Sequence, residues 1–213
     1  MKKYLAVFTL LFAAAAVPSV KADIISYDTT GSALSCNGVG GCVQNTTQSV
    51  TVGGLTLTYN PGSGSSVVTP SIINLGDIVS TGTGSNVSMT GLLLTIDVFS
   101  TPPGSSGDLP NGAISGTLST SNSSTTILFS PNNTTTGFGT LPGVVIGNET
   151  YQVLNPSLGL EDPTDGNPVG QTSIQGAVTT TPEPGSGVLL LGGIGLLGLA
   201  TRKRIAGGLP QAA

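Results

Sequence analysis

The residues best suited to chemistry in this chain are three acids in the segment GLEDPTDGNP, namely Glu161, Asp162 and Asp165. Carboxylate oxygens in a loop rich in Gly and Pro are typical ligands of a hard cation such as Ca²⁺, so the segment is a candidate calcium site. The spacing differs from that of an EF-hand loop. The other interpretation, which the sequence favours, is an ordinary acidic turn with Asp165 and Gly166 at its corner.

The residue types in the chain limit which kinds of catalysis are open to it. Two carboxylates suffice for a glycoside hydrolase, so that class stays open as an alternative. Ser-His-Asp and Cys-His mechanisms need an imidazole, and the chain has no His. It also lacks Trp, which would stack against a sugar. We therefore predict a protein that is not an enzyme, with no catalytic residues and no cofactor, and Ca²⁺ at the acidic segment is the alternative.

Positive charge is confined to the two ends of the chain. All six basic residues precede Ala22 or follow Pro182, whereas every acid except Glu183 lies between those two points. Binding to nucleic acid depends on Lys and Arg that neutralise phosphates, so nucleic acid is excluded as a partner. Salt bridges between side chains of this span are impossible. Its acids must therefore be solvated, hydrogen-bonded or bound to a cation.

The two cysteines, Cys36 and Cys42, frame the short segment CNGVGGC. Outside the cytoplasm, two nearby thiols oxidise to a disulfide, and the glycines between them allow so short a loop to close. A redox pair is the alternative, but the spacing is not CxxC. We predict a structural disulfide with a modest effect on stability, because a short loop removes little entropy from the unfolded chain.

The first 22 residues have the three-part plan of a secretory signal peptide. Two lysines precede an apolar stretch, Tyr4–Val17, and a cleavage site of the A-x-A type ends at Ala22. A retained membrane helix is the alternative, but an apolar stretch of about 14 residues is shorter than the roughly 20 that a span needs. We predict passage through the Sec translocon, cleavage between Ala22 and Asp23, and a mature chain that begins at Asp23.

The C-terminal segment, residues 181–205, has a different three-part plan. The rigid Pro182-Glu183-Pro184 is followed by a Gly- and Leu-rich apolar run and then by the basic cluster Arg202-Lys203-Arg204. The run predicts a short transmembrane helix, and the cluster predicts a stop-transfer signal that stays inside. A Gly-rich core helix is the alternative, but no other helical pattern offers it a packing partner.

These three parts, in this order, resemble the PEP-CTERM sorting signal, which is found on exported proteins of Gram-negative bacteria that make exopolysaccharide. The resemblance is confined to the C-terminal segment, and the short tail of residues 206–213 is longer than such tails usually are. It implies recognition by an exosortase, a membrane-embedded enzyme similar to a thiol transpeptidase, with cleavage at or near Pro182-Glu183-Pro184. The body would then be released or transferred to another anchor.

The body, residues 23–180, alternates Val, Ile, Leu and Thr with turn residues, which is typical of an all-β domain. In VTVGGLTLTY, a turn at Gly53-Gly54 predicts a hairpin in which Val52 faces Leu55 and Val50 faces Leu57. A second hairpin is predicted to turn at Gly147-Asn148. Further predicted strands are Ile24–Tyr27, Ser66–Thr69, Gly76–Ser80, Asn86–Met89, Leu92–Phe99, Gly112–Leu118, Thr125–Phe129, Val144–Ile146, Glu149–Leu154 and Thr172–Thr179.

The strand Leu92–Phe99 is predicted to be central, because Leu93 and Phe99 add apolar side chains to its second face. Segments rich in Gly, Pro, Ser and Asn predict loops at 60–66, 81–86, 100–112, 119–125 and 130–143. Together these features predict an antiparallel two-sheet sandwich or jelly roll, and the alternative is a poorly ordered chain of low complexity.

The functional expectation is an exported, transiently anchored and non-enzymatic protein. It would pass through an intermediate anchored in the inner membrane by the C-terminal helix. It would end at the outer surface or outside a Gram-negative cell, in association with an exopolysaccharide or biofilm matrix. A calcium-assisted glycan-binding module is the first alternative, and a carboxylate-based glycoside hydrolase is the second.

Overall fold

The computed structural model describes residues 22–120, 122–129, 141–163 and 169–180, and within these ranges it contains strands and no helix. The predicted signal peptide before Ala22 and the predicted sorting segment and tail lie outside the described residues. The strands in chain order are β1 (Ile24–Asp28), β2 (Ala33–Ser35), β3 (Cys42–Thr46), β4 (Ser49–Val52), β5 (Leu55–Pro61), β6 (Ser63–Val68), β7 (Ser71–Gly82), β8 (Val87–Ser88), β9 (Leu92–Thr95), β10 (Asp97–Thr101), β11 (Ser105–Asp108), β12 (Gly112–Ser115), β13 (Thr117–Leu118), β14 (Thr126–Phe129), β15 (Val144–Ile146), β16 (Glu149–Val153), β17 (Ser157–Gly159) and β18 (Val169–Thr180).

The hairpin of β4 and β5 forms in the predicted register. Val52 pairs with Leu55 and Val50 with Leu57, and all four side chains are buried. Gly53 and Gly54 both adopt positive φ, at 53° and 86°, as a two-residue turn of type I′ requires. The alternation of apolar and polar residues in the two strands and the glycines of the turn therefore specify the same hairpin register.

The second predicted hairpin, of β15 and β16, is also present. Ile146 pairs with Glu149 across the turn, and Gly147 has a φ of 65°. This hairpin ends a seven-stranded antiparallel sheet in the order β15-β16-β18-β7-β5-β4-β3. The longest strands, β7 and β18, pair along most of their length in its middle.

The predicted strand Leu92–Phe99 is divided in the structure at Ile96. Its first part, β9, lies within a five-stranded sheet of order β17-β14-β12-β9-β2, and its second part, β10, lies within a four-stranded sheet of order β11-β10-β1-β6. At the break, the Ile96 carbonyl accepts a hydrogen bond from the Leu109 N–H at 2.9 Å, and the Asp97 N–H donates to Ser32 Oγ at 3.1 Å. These bonds to loops replace the ladder bonds that a continuous strand would make to its neighbours at this position.

The prediction that this strand is covered on both faces was wrong for its second half. Leu92, Leu94 and Val98 are buried as expected on the first face, but Phe99 on the other face is 40% exposed. Leu93 is only partly buried. A strand can thus lie inside a sheet and still present one face to water, as is usual in antiparallel sheets.

Two predicted loops contain strands. β6 begins in the predicted loop 60–66 and continues into the predicted strand Ser66–Thr69, and β11 lies in the predicted loop 100–112. Both are edge strands of the four-stranded sheet and are mostly exposed, so few of their side chains need to be apolar. Their backbones pair with β1 and β10 respectively.

Buried apolar side chains from the three larger sheets form one core. It includes Leu57 and Tyr151 of the seven-stranded sheet, Leu94 and Ile127 of the five-stranded sheet, and Ile25 of the four-stranded sheet. A two-stranded sheet of β8 and β13 completes the set, and every pairing is antiparallel. In the described part of the body the all-β antiparallel prediction is confirmed and the fold is β-sandwich-like, although the strands described there form four hydrogen-bonded sheets rather than two.

Candidate functional site

The described part of the chain ends beside the hairpin of β15 and β16. Thr180, the last residue of β18, pairs with Glu149, and Thr179 pairs with Thr150. The chain therefore leaves the folded body next to the first residue of β16. Because this pairing continues the long ladder of β18, the exit point is fixed relative to the core.

The described part begins at the same end of the body. The Asp23 N–H donates a hydrogen bond to Thr69 Oγ1 at 3.0 Å, and the Thr69 N–H donates to the Asp23 carbonyl at 2.9 Å. Thr69 is fully buried, whereas Ala22 is exposed. These two bonds hold Asp23 in place directly before β1.

A cavity of about 260 Å³ lies between the entry of the chain at Asp23 and Glu149, the ladder partner of Thr180. Its walls come from three places in the sequence: the start of β1, a pair of prolines after β10, and the turn between β15 and β16. The lining residues are Asp23, Ile24, Ile25, Pro102, Pro103, Gly147, Asn148 and Glu149. Two carboxylates, those of Asp23 and Glu149, thus border one small cavity.

Glu149 is the more unusual of these two acids, because it is only 4% exposed. Burial raises the pKa of its carboxyl, and the nearby negative charge of Asp23 raises it further. Backbone N–H groups of Asn148 and Glu149 itself oppose that shift by hydrogen bonding to the carboxylate. A buried acid next to a second acid is a costly arrangement unless a cation compensates it.

Two carboxylates that share a cavity can transfer protons or hold a cation. Pockets for small organic ligands measure about 300–1,000 Å³, so a cavity of about 260 Å³ lies just below that range. Apolar Ile and Pro side chains form much of its wall and offer a sugar few hydrogen bonds. The arrangement therefore suits a small cation or an ammonium group better than a saccharide.

The predicted calcium ligands are partly described. Glu161 is exposed and Asp162 half-buried, while Asp165 lies outside the described residues. The backbone here is anchored, since the Glu161 N–H donates to Thr172 Oγ1 at 2.9 Å and Ser80 Oγ donates to the Glu161 carbonyl at 2.7 Å. Within the described ranges, no three His, Cys, Asp or Glu residues lie close enough to hold a metal ion. The calcium site stays a prediction.

The predicted disulfide between Cys36 and Cys42 is present, with the two Cα atoms 5.8 Å apart. It closes the loop between β2 and β3, where the Val39 N–H donates to the Cys36 carbonyl and the Cys42 N–H donates to the Val39 carbonyl. Both cysteines are partly buried against the core. The bond ties the loop that leads into β3, an edge strand of the seven-stranded sheet.

The remaining predicted site residues follow the exit point at Thr180. Pro182, Glu183 and Pro184, like the cluster Arg202-Lys203-Arg204, lie outside the described residues. A family model described as the PEP-CTERM protein-sorting motif matches residues 180–204. The chain carries a PEP-CTERM sorting motif.

The PEP-CTERM motif implies processing by an exosortase, and proteins that carry it are exported and sorted to the cell envelope or surface. Its match begins at Thr180, so it starts where β18 ends. Neither the curated proteins nor the solved structures include a significant match to this chain. In the part of the chain that the structure describes, no helix has the length and apolarity needed to span a membrane.

Asp23 and Glu149 line the same cavity. The sequence did not predict that these two residues lie close together. Asp23 was predicted as the first mature residue, and Glu149 was predicted to follow a hairpin turn. The sequence feature that could have pointed to this site is the lack of any basic side chain between Ala22 and Pro182. It leaves every acid of the body without a side chain of opposite charge in the body.

Proposed function

We propose that the protein is an exported, transiently membrane-anchored and non-catalytic surface or matrix protein, which an exosortase sorts through its PEP-CTERM motif. The observation that carries this proposal is the position of the motif, residues 180–204, directly after the last strand of the body. A sorting enzyme that acts near Pro182-Glu183-Pro184 would separate the membrane segment from a body whose core is already complete.

The two ends of the chain support a route through the inner membrane of a Gram-negative cell. The N-terminal segment has the composition of a Sec signal peptide, and the basic cluster Arg202-Lys203-Arg204 would hold the C-terminal apolar run with its end in the cytoplasm. The body between them would then lie on the far side of the membrane. Such an orientation agrees with the disulfide, since disulfides persist in oxidising compartments.

The geometry of the body supports tethering from one end. The chain enters at Asp23 and leaves at Thr180, and both positions lie next to Glu149. Two membrane segments attached at the same end of a domain can remain in one bilayer without pulling on its core. Removal of either segment would leave the strands of the β-sandwich body in place.

The composition of the body supports a role that depends on its surface rather than on catalysis. Edge strands such as β6 and β11 expose mainly Ser, together with Val68 and Asp108. Exposed hydroxyls and carboxylates bind water and hydrated polymers, and the negative charge keeps the protein soluble. We therefore place the mature body in an exopolysaccharide or biofilm matrix.

Cell fractionation tests the proposed route. A variant with Ala at Pro182, Glu183 and Pro184 should stay in the membrane fraction at its unsorted length, whereas the wild type should leave it in a shortened form. A matched control replaces Leu209, Pro210 and Gln211 by Ala, which lie beyond the matched range and should not change sorting. Equal processing of the motif variant and the wild type would refute the proposal.

A further inference from the structure

Glu149 is a buried acid for which the body supplies no basic side chain. It is 4% exposed and shares its cavity with the carboxylate of Asp23. Between Ala22 and Pro182 the chain has no Lys, Arg or His. A buried carboxylate is unfavourable unless hydrogen bonds or a cation compensate its charge. Any cation that pairs with Glu149 must come from something other than a side chain of the body.

Removal of the signal peptide would create such a cation at the edge of the cavity. Hydrolysis of the Ala22–Asp23 peptide bond consumes one water, leaves a carboxylate on Ala22 and leaves an α-amino group on Asp23. An α-amino group has an ordinary pKa of about 7.7–8.0 and is mostly protonated at neutral pH. The uncleaved chain has a neutral amide at the same atom.

We propose that the cavity is the binding site for the protein's own processed N-terminus, in which the α-ammonium group of Asp23 pairs with the carboxylate of Glu149. The inference rests on the proposed export route, with cleavage after Ala22. It assigns to Glu149 the role of receptor for the new terminus.

The structure holds the nitrogen atom of Asp23 in place beside the cavity that Glu149 also lines. That atom already donates to Thr69 Oγ1 at 3.0 Å, and β1 begins at the next residue. An ammonium group can keep this bond and has two further N–H groups to offer. Because Ala22 is exposed, its departure removes no buried side chain from the body.

The other described groups around Glu149 do not provide an alternative cation. Among the described residues, its titratable neighbours are the Asp23 carboxyl and the hydroxyl of Tyr151, which is hydrogen-bonded to Ser100 Oγ at 2.6 Å. Pro102 and Pro103 line the opposite wall, and Thr180 of β18 is the ladder partner of Glu149. None of these residues carries positive charge at neutral pH.

The pairing would make the body more stable after its signal peptide has been removed. Before cleavage, two like charges border the cavity, and burial opposes the ionised form of Glu149. After cleavage, the ammonium group is attracted by both carboxylates. Since Glu149 is also the ladder partner of Thr180, the same contact would stabilise the strand end from which the sorting motif departs.

Selective acetylation of the exported protein tests the proposal, because the body contains no lysine. In a Lys203→Arg background, the α-amino group is the only amine that remains after signal-peptide removal. Acetylation should lower the Tm at pH 7 by about 5 °C or more, as expected when one partner of a buried ion pair is lost. In Glu149→Gln the same treatment should have at most a third of this effect. The control variant Glu161→Gln, altered at an exposed acid, should retain the full effect.

A second measurement needs no substitution at Glu149 and therefore does not depend on that variant folding. The rate of acetylation, followed against pH, gives the pKa of the α-amino group. A carboxylate partner should raise this pKa above the ordinary range, and each unit of increase lowers the reactive fraction at neutral pH about tenfold. An ordinary pKa, together with equal Tm changes in wild type and Glu149→Gln, would overturn the proposal.

The intact mass of the exported protein, measured before acetylation, shows whether a failed test counts against the proposed export route or against this inference alone. A mature chain that begins at a residue other than Asp23 would overturn both the cleavage site and the inference. A chain that begins at Asp23 but whose Tm and amine reactivity do not depend on Glu149 would overturn the inference alone. Dependence of both readouts on Glu149 would support it.

Discussion

Tyr59 and Thr29 form the hydrogen-bonded centre of the body. Thr29 Oγ1 accepts hydrogen bonds from the Gly62 N–H at 2.8 Å and the Tyr59 hydroxyl at 2.9 Å, and it donates to the Leu75 carbonyl at 2.8 Å. Thr29 is fully buried and Tyr59 almost fully. These bonds connect the end of β1 with β5 and β7, so they join two sheets through one hydroxyl. Buried networks of this kind stabilise a fold only when every member is satisfied.

The buried tyrosines predict a loss of stability at alkaline pH. Burial raises the pKa of Tyr27, Tyr59 and Tyr151 above the ordinary value of 10.0. A group whose pKa is higher in the folded state stabilises the fold below its unfolded pKa, and this contribution is lost as pH rises through the folded pKa. The free energy of unfolding, measured in urea, should therefore fall as pH rises above about 10.

The comparison variant for this prediction is Tyr59→Phe. It should be less stable than the wild type by about 1–3 kcal/mol at pH 7, because Thr29 loses a buried hydrogen bond. Its stability should decline less steeply above about pH 10, since one titrating group is absent. A decline as steep as that of the wild type would show that Tyr59 does not contribute to the alkaline transition.

At the scale of single residues, the sequence predicted roles that depend on local spacing and missed those that depend on contact across the fold. The Cys36–Cys42 bond and the turn at Gly53 were predictable because neighbours in the chain determine them. The cavity that Asp23 and Glu149 share was not, because no local pattern relates the start of β1 to the start of β16. The sequence indicated only that the acids of the body lack basic partners.

At the scale of elements, the strands that the sequence revealed are mostly interior ones. β5, β7, β9, β12, β14, β16 and β18 are interior to their sheets, and alternating apolar residues marked all of them. The strands that were missed, β2, β3, β11 and β17, lie at sheet edges. An edge strand is held by backbone bonds on one side and exposes much of its surface, so its side chains carry little apolar signal. The break at Ile96 was missed because its cause is a set of bonds to distant loops.

One glycine within a strand shows how backbone geometry shapes the central ladder. Gly76 of β7 has a φ of 137° and lies beside a register shift opposite Ile174. A Cβ atom there would lie 2.7 Å from the Asn60 carbonyl oxygen and 2.7 Å from the ring of Tyr59. A glycine is therefore required by both the backbone conformation and the space.

Replacing this glycine should strongly destabilise the body. Gly76→Ala should lower the free energy of unfolding by about 2 kcal/mol or more, from backbone strain and overpacking. The matched control is Gly159→Ala in β17, where a Cβ would meet nothing within 4 Å and the change should stay within about 0.5 kcal/mol. Urea denaturation of both variants tests the prediction, and similar values for the two would contradict it.

At the scale of the whole molecule, the sequence predicted the sorting motif more fully than the architecture. The C-terminal motif is a local pattern of rigid, apolar and basic parts, and the family comparison confirms it. The number of sheets was not predictable, because it depends on where one long strand is interrupted. The entry of the chain at Asp23 and its exit at Thr180 both lie next to Glu149. This arrangement was not predictable either, because it depends on pairing between strands far apart in the sequence.

The most direct test of the central claim is the intact mass of the protein recovered from the cell surface or the medium. We predict a chain that begins at Asp23, ends near Pro182-Glu183-Pro184 and contains the Cys36–Cys42 disulfide. Deletion of the exosortase should yield a longer product that retains the basic cluster. A surface protein whose mass includes both the first 22 residues and residues 185–213 would contradict the account.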